Sequence, residues 1–293
     1  MTPDVMKGIE PLSVAVIGAS GFFGRAIASA LGTRCVCRTY YRHPIPDGTR
    51  FDALTMRLED VLPPRRAVTH VIFCQAETGI DACTADPWGT FTLNVSSQVA
   101  LIKEAVALGI RPVICSSEYV FDGVRGEYSE QDTPNPTTTY GTQKRELERF
   151  TQTHAHAGLI LRLGKLYALD HGLVKDWRLS VGTIRCATDQ RFSPLQVDDA
   201  AAMIVRLLER GAFGVYHLAG PEAMSRWQML TTCLAAWRGT WSVQPCRLAD
   251  LPFLEPRPLD LSLNGIRAMK DSGITPRTVA EVLTQEAPYG ASV

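Results

Sequence analysis

A tyrosine stands four residues before a lysine in "TTTYGTQKRELE", residues 137–148. If the segment is helical, Tyr140 and Lys144 share a face. A lysine ammonium beside a phenol favours the phenolate and lowers the tyrosine pKa, which suits a general acid or base. On a solvated helix the same spacing is only a surface pair. In "RPVICSSEYVF" an apolar strand should end near Ser116 and Ser117, at the sheet edge where open α/β folds bind ligands. A serine hydroxyl there can hydrogen-bond a carbonyl. "VAVIGASGFFGRAI" carries Gly18, Gly21 and Gly24 between an apolar run and a helical one. Gly18 permits a tight turn, Gly21 lets backbone approach a pyrophosphate, and Gly24 allows close helix–strand packing, with the helix N–H groups facing the phosphates. A ligand-free glycine turn is the alternative, but the strand, the helix and the place in the chain all suit a dinucleotide.

The residue that meets the adenosine ribose belongs about 20 residues past such a loop. An acid there would favour NAD. This chain has "RTYYRHP", with no carboxylate between Thr39 and Pro46, and Arg42 stands 18 residues after Gly24. Arg42 would pair with a 2′-phosphate, which points to NADP(H); an exposed strand-end arginine is the other reading. Asp52 in "RFDALT" is a candidate acceptor for the adenine amino group.

Elements that could position these residues are visible. Buried strands are expected at 13–19, 35–41, 70–76, 111–117 and 158–167, with helices at 24–33 and 94–109 between them. Apolar strands alternating with helices imply an α/β, Rossmann-type, doubly wound parallel sheet with helices on both faces. The text turns polar and irregular from 168 to 195. Helices follow at 197–211 and 225–239, the second with Ser225 as N-cap, then a last helix near 276–286. The division expected is a dinucleotide-binding domain over 1–167 and a smaller, interleaved substrate-binding part over 168–293, with a strand at 214–220 able to join the main sheet.

Composition narrows the function. The 293 residues are 45% hydrophobic and 20% charged, with 30 basic and 30 acidic side chains. No basic excess is present for a nucleic-acid partner. Eight cysteines lie mostly in apolar runs without a C-x-x-C pair, which suits a reducing cytoplasm better than a disulfide scaffold. The stretch "MTPDVMKGIEPL" lacks a signal-peptide layout, and no run is long enough to span a membrane. His154 and His156 lack further ligands at zinc-like spacing, so no metal site is expected. Arg65–Arg66 reads as a solvated loop, and Trp237 with Trp241 as packing.

Taken in order, "GASGFFG", "SSEYVFDG", the Glu130/Asp132/Pro134/Pro136 run and "YGTQK" resemble an extended short-chain dehydrogenase/reductase, nearest the dTDP-4-dehydrorhamnose reductase branch. The likeness covers roughly residues 12 to 285. It implies Ser117 polarising a carbonyl, Tyr140 as proton donor, and Lys144 binding the nicotinamide ribose while lowering the tyrosine pKa. It implies Gly18, Ser20, Gly21, Phe22, Phe23 and Gly24 at the phosphates, Cys74, Gln75 and Ala76 along the cofactor, and a structural role for Asn94. It places Ser116, Glu118, Val120, Phe121, Lys165, Gln190 and Arg257 along the substrate. The reaction implied is hydride transfer from NADPH to a nucleotide-linked 4-keto-6-deoxysugar, in a cytoplasmic protein that could form a homodimer.

Two departures qualify the substrate. Lys165 of "LRLGKLY" stands about where the branch carries a tryptophan near the sugar; it either meets a carboxylate or phosphate or faces solvent. The segment after Tyr167 is short for the usual helix and connection. The same branch includes the regulatory β subunit of methionine adenosyltransferase, so a catalytically silent NADP-binding subunit is the competing reading. A sugar-nucleotide epimerase or dehydratase ranks third, because Glu118 has no acidic neighbour beside the serine.

Overall fold

The computed structural model describes residues 11–63, 68–237 and 241–286; Arg65–Arg66 and most of "MTPDVMKGIEPL" lie outside them. β1 (Val14–Ile17) enters the glycine turn and α1 (Phe22–Leu31), followed by β2 (Cys35–Tyr40), β3 (Thr49–Arg50) and β4 (His70–Phe73). Next come α2 (Ile80–Ala85), α3 (Pro87–Phe91), a π-helical stretch Thr92–Ser97, α4 (Gln98–Ala107), β5 (Arg111–Ser117), α5 (Thr139–His154) and β6 (Leu159–Leu163). The chain then leaves the sheet through β7 (Leu166–Tyr167), α6 (Gly172–Leu179), β8 (Thr183–Ala187), β9 (Arg191–Phe192) and β10 (Leu195–Gln196). It returns with α7 (Val197–Glu209) and β11 (Gly214–Leu218), and continues through β12 (Met224–Ser225), α8 (Arg226–Trp237), β13 (Ser242–Cys246), α9 (Ile266–Ser272) and α10 (Val279–Glu286).

Seven strands pair in the order β11-β6-β5-β4-β1-β2-β3, all in parallel. This is the doubly wound order, with its reversal between β1 and β4. All four residues of β1 are buried. Val14 and Val16 join the core beneath α1 and α7, while Ala15 and Ile17 join the core beneath α4 and α5. Apolar residues on both faces are what a sheet covered on both sides requires. Each fully buried Val, Leu or Ile contributes about 1.5–3 kcal/mol.

The strand expected at 214–220 does join the sheet. β11 lies against β6 with Leu218 opposite Leu163. The segment read as irregular is partly ordered: Val174 and Trp177, three apart, are the buried side of α6, and Ile184 and Cys186 alternate into a smaller core with Met229, Leu230 and Cys233 of α8. Its polar composition hid a helix that buries only Val174 and Trp177 and leaves Leu179 exposed. Trp237 and Trp241 pack beside that core, with ring centroids 5.9 Å apart. Ser225 caps α8, its Oγ accepting the Gln228 N–H at 3.0 Å.

Candidate active site

Gly18 has φ +85°, and a Cβ there would stand 2.9 Å from the Gln75 backbone nitrogen. A Cβ on Gly24 would stand 2.2 Å from the Gly18 carbonyl oxygen. Both positions therefore require glycine. The Gly18 N–H donates to Thr39 Oγ1 at 3.0 Å, tying the turn to β2. No side chain caps α1, and its first turn holds no acid, so its leading N–H groups suit an anion. Ser20 is half-buried in the turn. The Phe22 ring stacks on His171 at 4.1 Å and 5°, which brings the start of α6 over the loop.

Gly21, Phe22, Phe23 and Gly24 share a cleft of about 390 Å³ with Cys74, Gln75 and Ala76, and with Ser117, Tyr140 and Lys144. Residues about 120 positions apart in sequence thus meet at the carboxyl edge of the sheet. A dinucleotide fits what is present. Both side-chain amide atoms of Gln75 are buried without a hydrogen-bond partner among the described residues, and Gly21 and Gly24 leave backbone open to the cleft. Arg42 and Asp52 lie off this cleft, past the end of β2. Arg42 is exposed, its guanidinium 5.5 Å from the Tyr41 ring centroid. Asp52 Oδ1 accepts the Leu54 N–H at 3.0 Å.

The Tyr140–Lys144 spacing is helical, as the sequence implies. Thr138 caps α5 by accepting the Gly141 N–H at 3.1 Å. Gly141 is required because a Cβ there would stand 2.1 Å from the Tyr119 carbonyl oxygen; the helix can thus start against the turn that follows Ser117. Tyr140 and Ser117 line the same cleft, and the serine hydroxyl acts on the phenol. Burial pushes the phenol above its ordinary value, and the Ser117 hydroxyl pulls the other way without offsetting it. The net shift of the phenol is therefore upward, set by burial and not by Lys144. The lysine Nζ lies 5.7 Å from the Tyr140 ring centroid and donates to the Cys115 carbonyl at 2.8 Å. Burial lowers the pKa of Lys144 too. The phenol is held protonated, which is the form an acid needs.

Ser116 lies opposite Arg162 in register. Its hydroxyl donates to Glu148 Oε1 at 2.5 Å. Arg162 holds the same carboxylate from Nε at 3.0 Å and Nη2 at 2.9 Å. The third guanidinium nitrogen meets His217 Nε2 at 3.2 Å, and His217 Nδ1 is 3.0 Å from the Tyr128 carbonyl. A neutral ring with its proton on Nδ1 satisfies both contacts. Burial pushes His217 down to about 3, with the Arg162 charge adding to it. Ser116 thus gives its hydroxyl to this network while the residue still lines the cleft. Val120 and Phe121 are corrected: both are buried in a core with Tyr128, Leu261 and Leu263. The short turn Glu118–Val120 ends with its last residue in that core.

That same turn delivers Glu118 and Tyr119 to a second cavity of about 290 Å³; these two, with Thr78, Ile80 and Lys165, line the cleft as well. Burial raises Glu118 to about 8, against the opposing Lys165 charge and backbone N–H. Tyr119 packs edge-on to Tyr140 at 6.1 Å, and burial raises it to about 12. Gln190, Arg257 and Lys165 line this cavity. Arg257 pairs with Asp81 and Glu255 and lies 4.7 Å from the Phe253 ring centroid. Glu255 in turn accepts the Thr139 N–H at 3.2 Å, reaching the first turn of α5. Sequence reading missed Tyr119, Asp81 and Arg226. Tyr119 could have been found from its place two residues past Ser117; the other two come from distant loops with no local signal. Asn94, in the π-helical stretch, accepts the Glu77 N–H at 2.8 Å and donates to the Glu77 carbonyl at 2.9 Å and to Gln143 Oε1 at 2.8 Å. That is the structural role expected of it. His154 ends α5 stacked on Phe150.

Comparison with known proteins agrees with this geometry. The methionine adenosyltransferase 2 subunit beta of Bos taurus is 30% identical over 244 residues, covering 74% of this chain and 69% of that protein. A hypothetical dTDP-4-dehydrorhamnose reductase from Sulfolobus tokodaii superposes with TM-score 0.80 at 26% identity, covering 88% of this chain and 94% of that one. The dTDP-4-dehydrorhamnose reductase of Bacillus anthracis, solved in complex with NADP, has the same fold, with TM-score 0.77 at 20% identity over 93% of this chain and 97% of that one. The family model for the RmlD substrate binding domain matches residues 12–287. With its parallel sheet, glycine turn and Ser–Tyr–Lys cleft, the chain belongs to that RmlD-like family of extended short-chain dehydrogenases/reductases.

Proposed function

We propose that this chain is an NADPH-dependent reductase of a carbonyl on a nucleotide-linked 4-keto sugar, the 4-keto-6-deoxy class being the first to try. The observation that carries the reading is the meeting of Ser117, Tyr140 and Lys144 with the glycine turn in one cleft that opens into a cation-lined pocket. The turn's N–H groups would hold the pyrophosphate, Arg42 the 2′-phosphate, Asp52 the adenine amino group and Lys144 the nicotinamide ribose. Bound NADPH supplies a hydride. The protein's own part is acid and position. Ser117 donates a hydrogen bond to the carbonyl oxygen and Tyr140 gives it a proton as negative charge develops there. The Lys144 ammonium, close to the ring, steadies the phenolate left behind. NADPH absorbance over a panel of sugar nucleotides tests this. Tyr140→Phe should lower turnover roughly 10²- to 10⁴-fold while leaving NADPH affinity nearly intact; turnover that survives removes the acid assignment.

A second reading is favoured by one observation, the likeness of about three-quarters of the chain to a methionine adenosyltransferase subunit. In it the chain binds NADP and serves as a non-catalytic partner. Co-elution with a methionine adenosyltransferase catalytic chain, with no sugar nucleotide reduced, would favour it.

A further inference from the structure

The charges around the two cavities are unevenly matched. Among the described residues, Lys165 is the cation that lines both. Its backbone is held to β10, the carbonyl accepting the Leu195 N–H at 2.9 Å. Its ammonium is in ion-pair contact with no carboxylate among the described residues; Glu118 acts on it from farther away. The arginines line only the outer cavity. Arg257 is taken by Asp81 and Glu255, and Arg191 meets Asp260 at 3.4 Å. Arg226 meets the neutral Gln190 amide oxygen at 3.4 Å and has charge to spare.

The reading above, on which this inference rests, places a carbonyl at Ser117 and Tyr140 and the nucleotide outward. The diphosphate then passes the arginine side, and the sugar ring lies against Lys165, on the wall shared with the reacting group. A neutral ring substituent would strip water from this ammonium without replacing it, which is unfavourable. We propose that Lys165 is a specificity residue that takes a carboxylate on the ring of the substrate. The substrate class is thereby narrowed to nucleotide-linked uronate-type keto sugars, in place of the 6-methyl sugars that the family likeness implies.

Calorimetric titration in the presence of NADP⁺ tests this with two matched pairs, glucuronate and glucose, each linked to uridine diphosphate and to thymidine diphosphate. The native protein should bind the uronate of the better pair roughly ten- to a hundredfold more tightly, the range for a charge-assisted hydrogen bond. Lys165→Met keeps the stem and should bring the ratio near one, while Lys165→Arg should restore much of it; melting curves confirm that each variant folds. Equal binding of uronate and glucose by the native protein overturns the proposal and leaves the sugar-nucleotide reading standing. A preference that survives Lys165→Met also overturns it. If NADP⁺ binds and none of the four sugars does, both fail.

Discussion

Glu148 is the place to test whether the buried network beneath the active site holds the fold. Its carboxylate is wholly buried and accepts two hydrogen bonds from Arg162 and one from Ser116, with Arg145 3.6 Å away. Glu148→Leu would strand the Arg162 guanidinium, itself 2% exposed, with His217 still in contact. Removing one partner of a buried pair costs about 3–5 kcal/mol, a large part of a total stability of about 5–15 kcal/mol. Replacing both partners should cost much less, because Glu148→Leu with Arg162→Met removes the stranded charge along with its desolvation penalty. Urea unfolding of the native protein, both single variants and the double variant closes the cycle. The double variant should be more stable than either single one. The reasoning fails if Glu148→Leu costs under about 1 kcal/mol, the range of an exposed pair, or if the two single losses simply add.

Three further outcomes follow from the site. Arg42→Asp should weaken NADPH binding roughly ten- to a hundredfold and leave NADH little changed, read by fluorescence titration; equal losses would remove Arg42 from the 2′-phosphate. Gly141→Ala would force a Cβ to 2.1 Å from the Tyr119 carbonyl, so α5 must shift and turnover should collapse even in a folded variant, checked by circular dichroism beside kinetics. Glu118 binds its proton more tightly folded, at about 8, than unfolded, at an ordinary carboxylate value. Between those values the unfolded state sheds the proton first, so stability should fall as pH rises, by at most about 1.4 kcal/mol per pH unit. A Glu118→Gln variant showing the same decline would place its origin elsewhere.

Local pattern carried much of this structure. The strand runs, the glycine turn and the Tyr140–Lys144 spacing each depend on neighbours in sequence, and all three stand as read. Pattern failed where a side chain's direction depends on a turn. Ser116 and Ser117 are adjacent and alike and both line the cleft, yet only Ser116 gives its hydroxyl to the buried Glu148, because β5 alternates its side chains. Val120 and Phe121 sit in a motif tied to substrate, but the turn after Ser117 rotates them into the core. Nothing near Tyr140 in sequence shows that burial would outweigh its lysine neighbour. The outer cavity, assembled from loops and helix ends far apart in sequence, had the least local signal of all.

The sheet's edge strand carries a consequence for anyone who would divide the molecule. β11 comes from the half of the chain that builds the outer cavity, and it closes the open side of β6. Gly164, just past β6, is packed so tightly that a Cβ would stand 2.7 Å from the Ser193 carbonyl, and its N–H donates to Leu218 at 2.8 Å. A fragment cut at 167 would leave β6 as a bare edge, a template for pairing with its own copies, and would strip α7 from the face of α1. The two functional parts therefore cannot be expressed, swapped or grafted as separate modules; changing what the protein recognises means changing side chains inside one cooperative sheet.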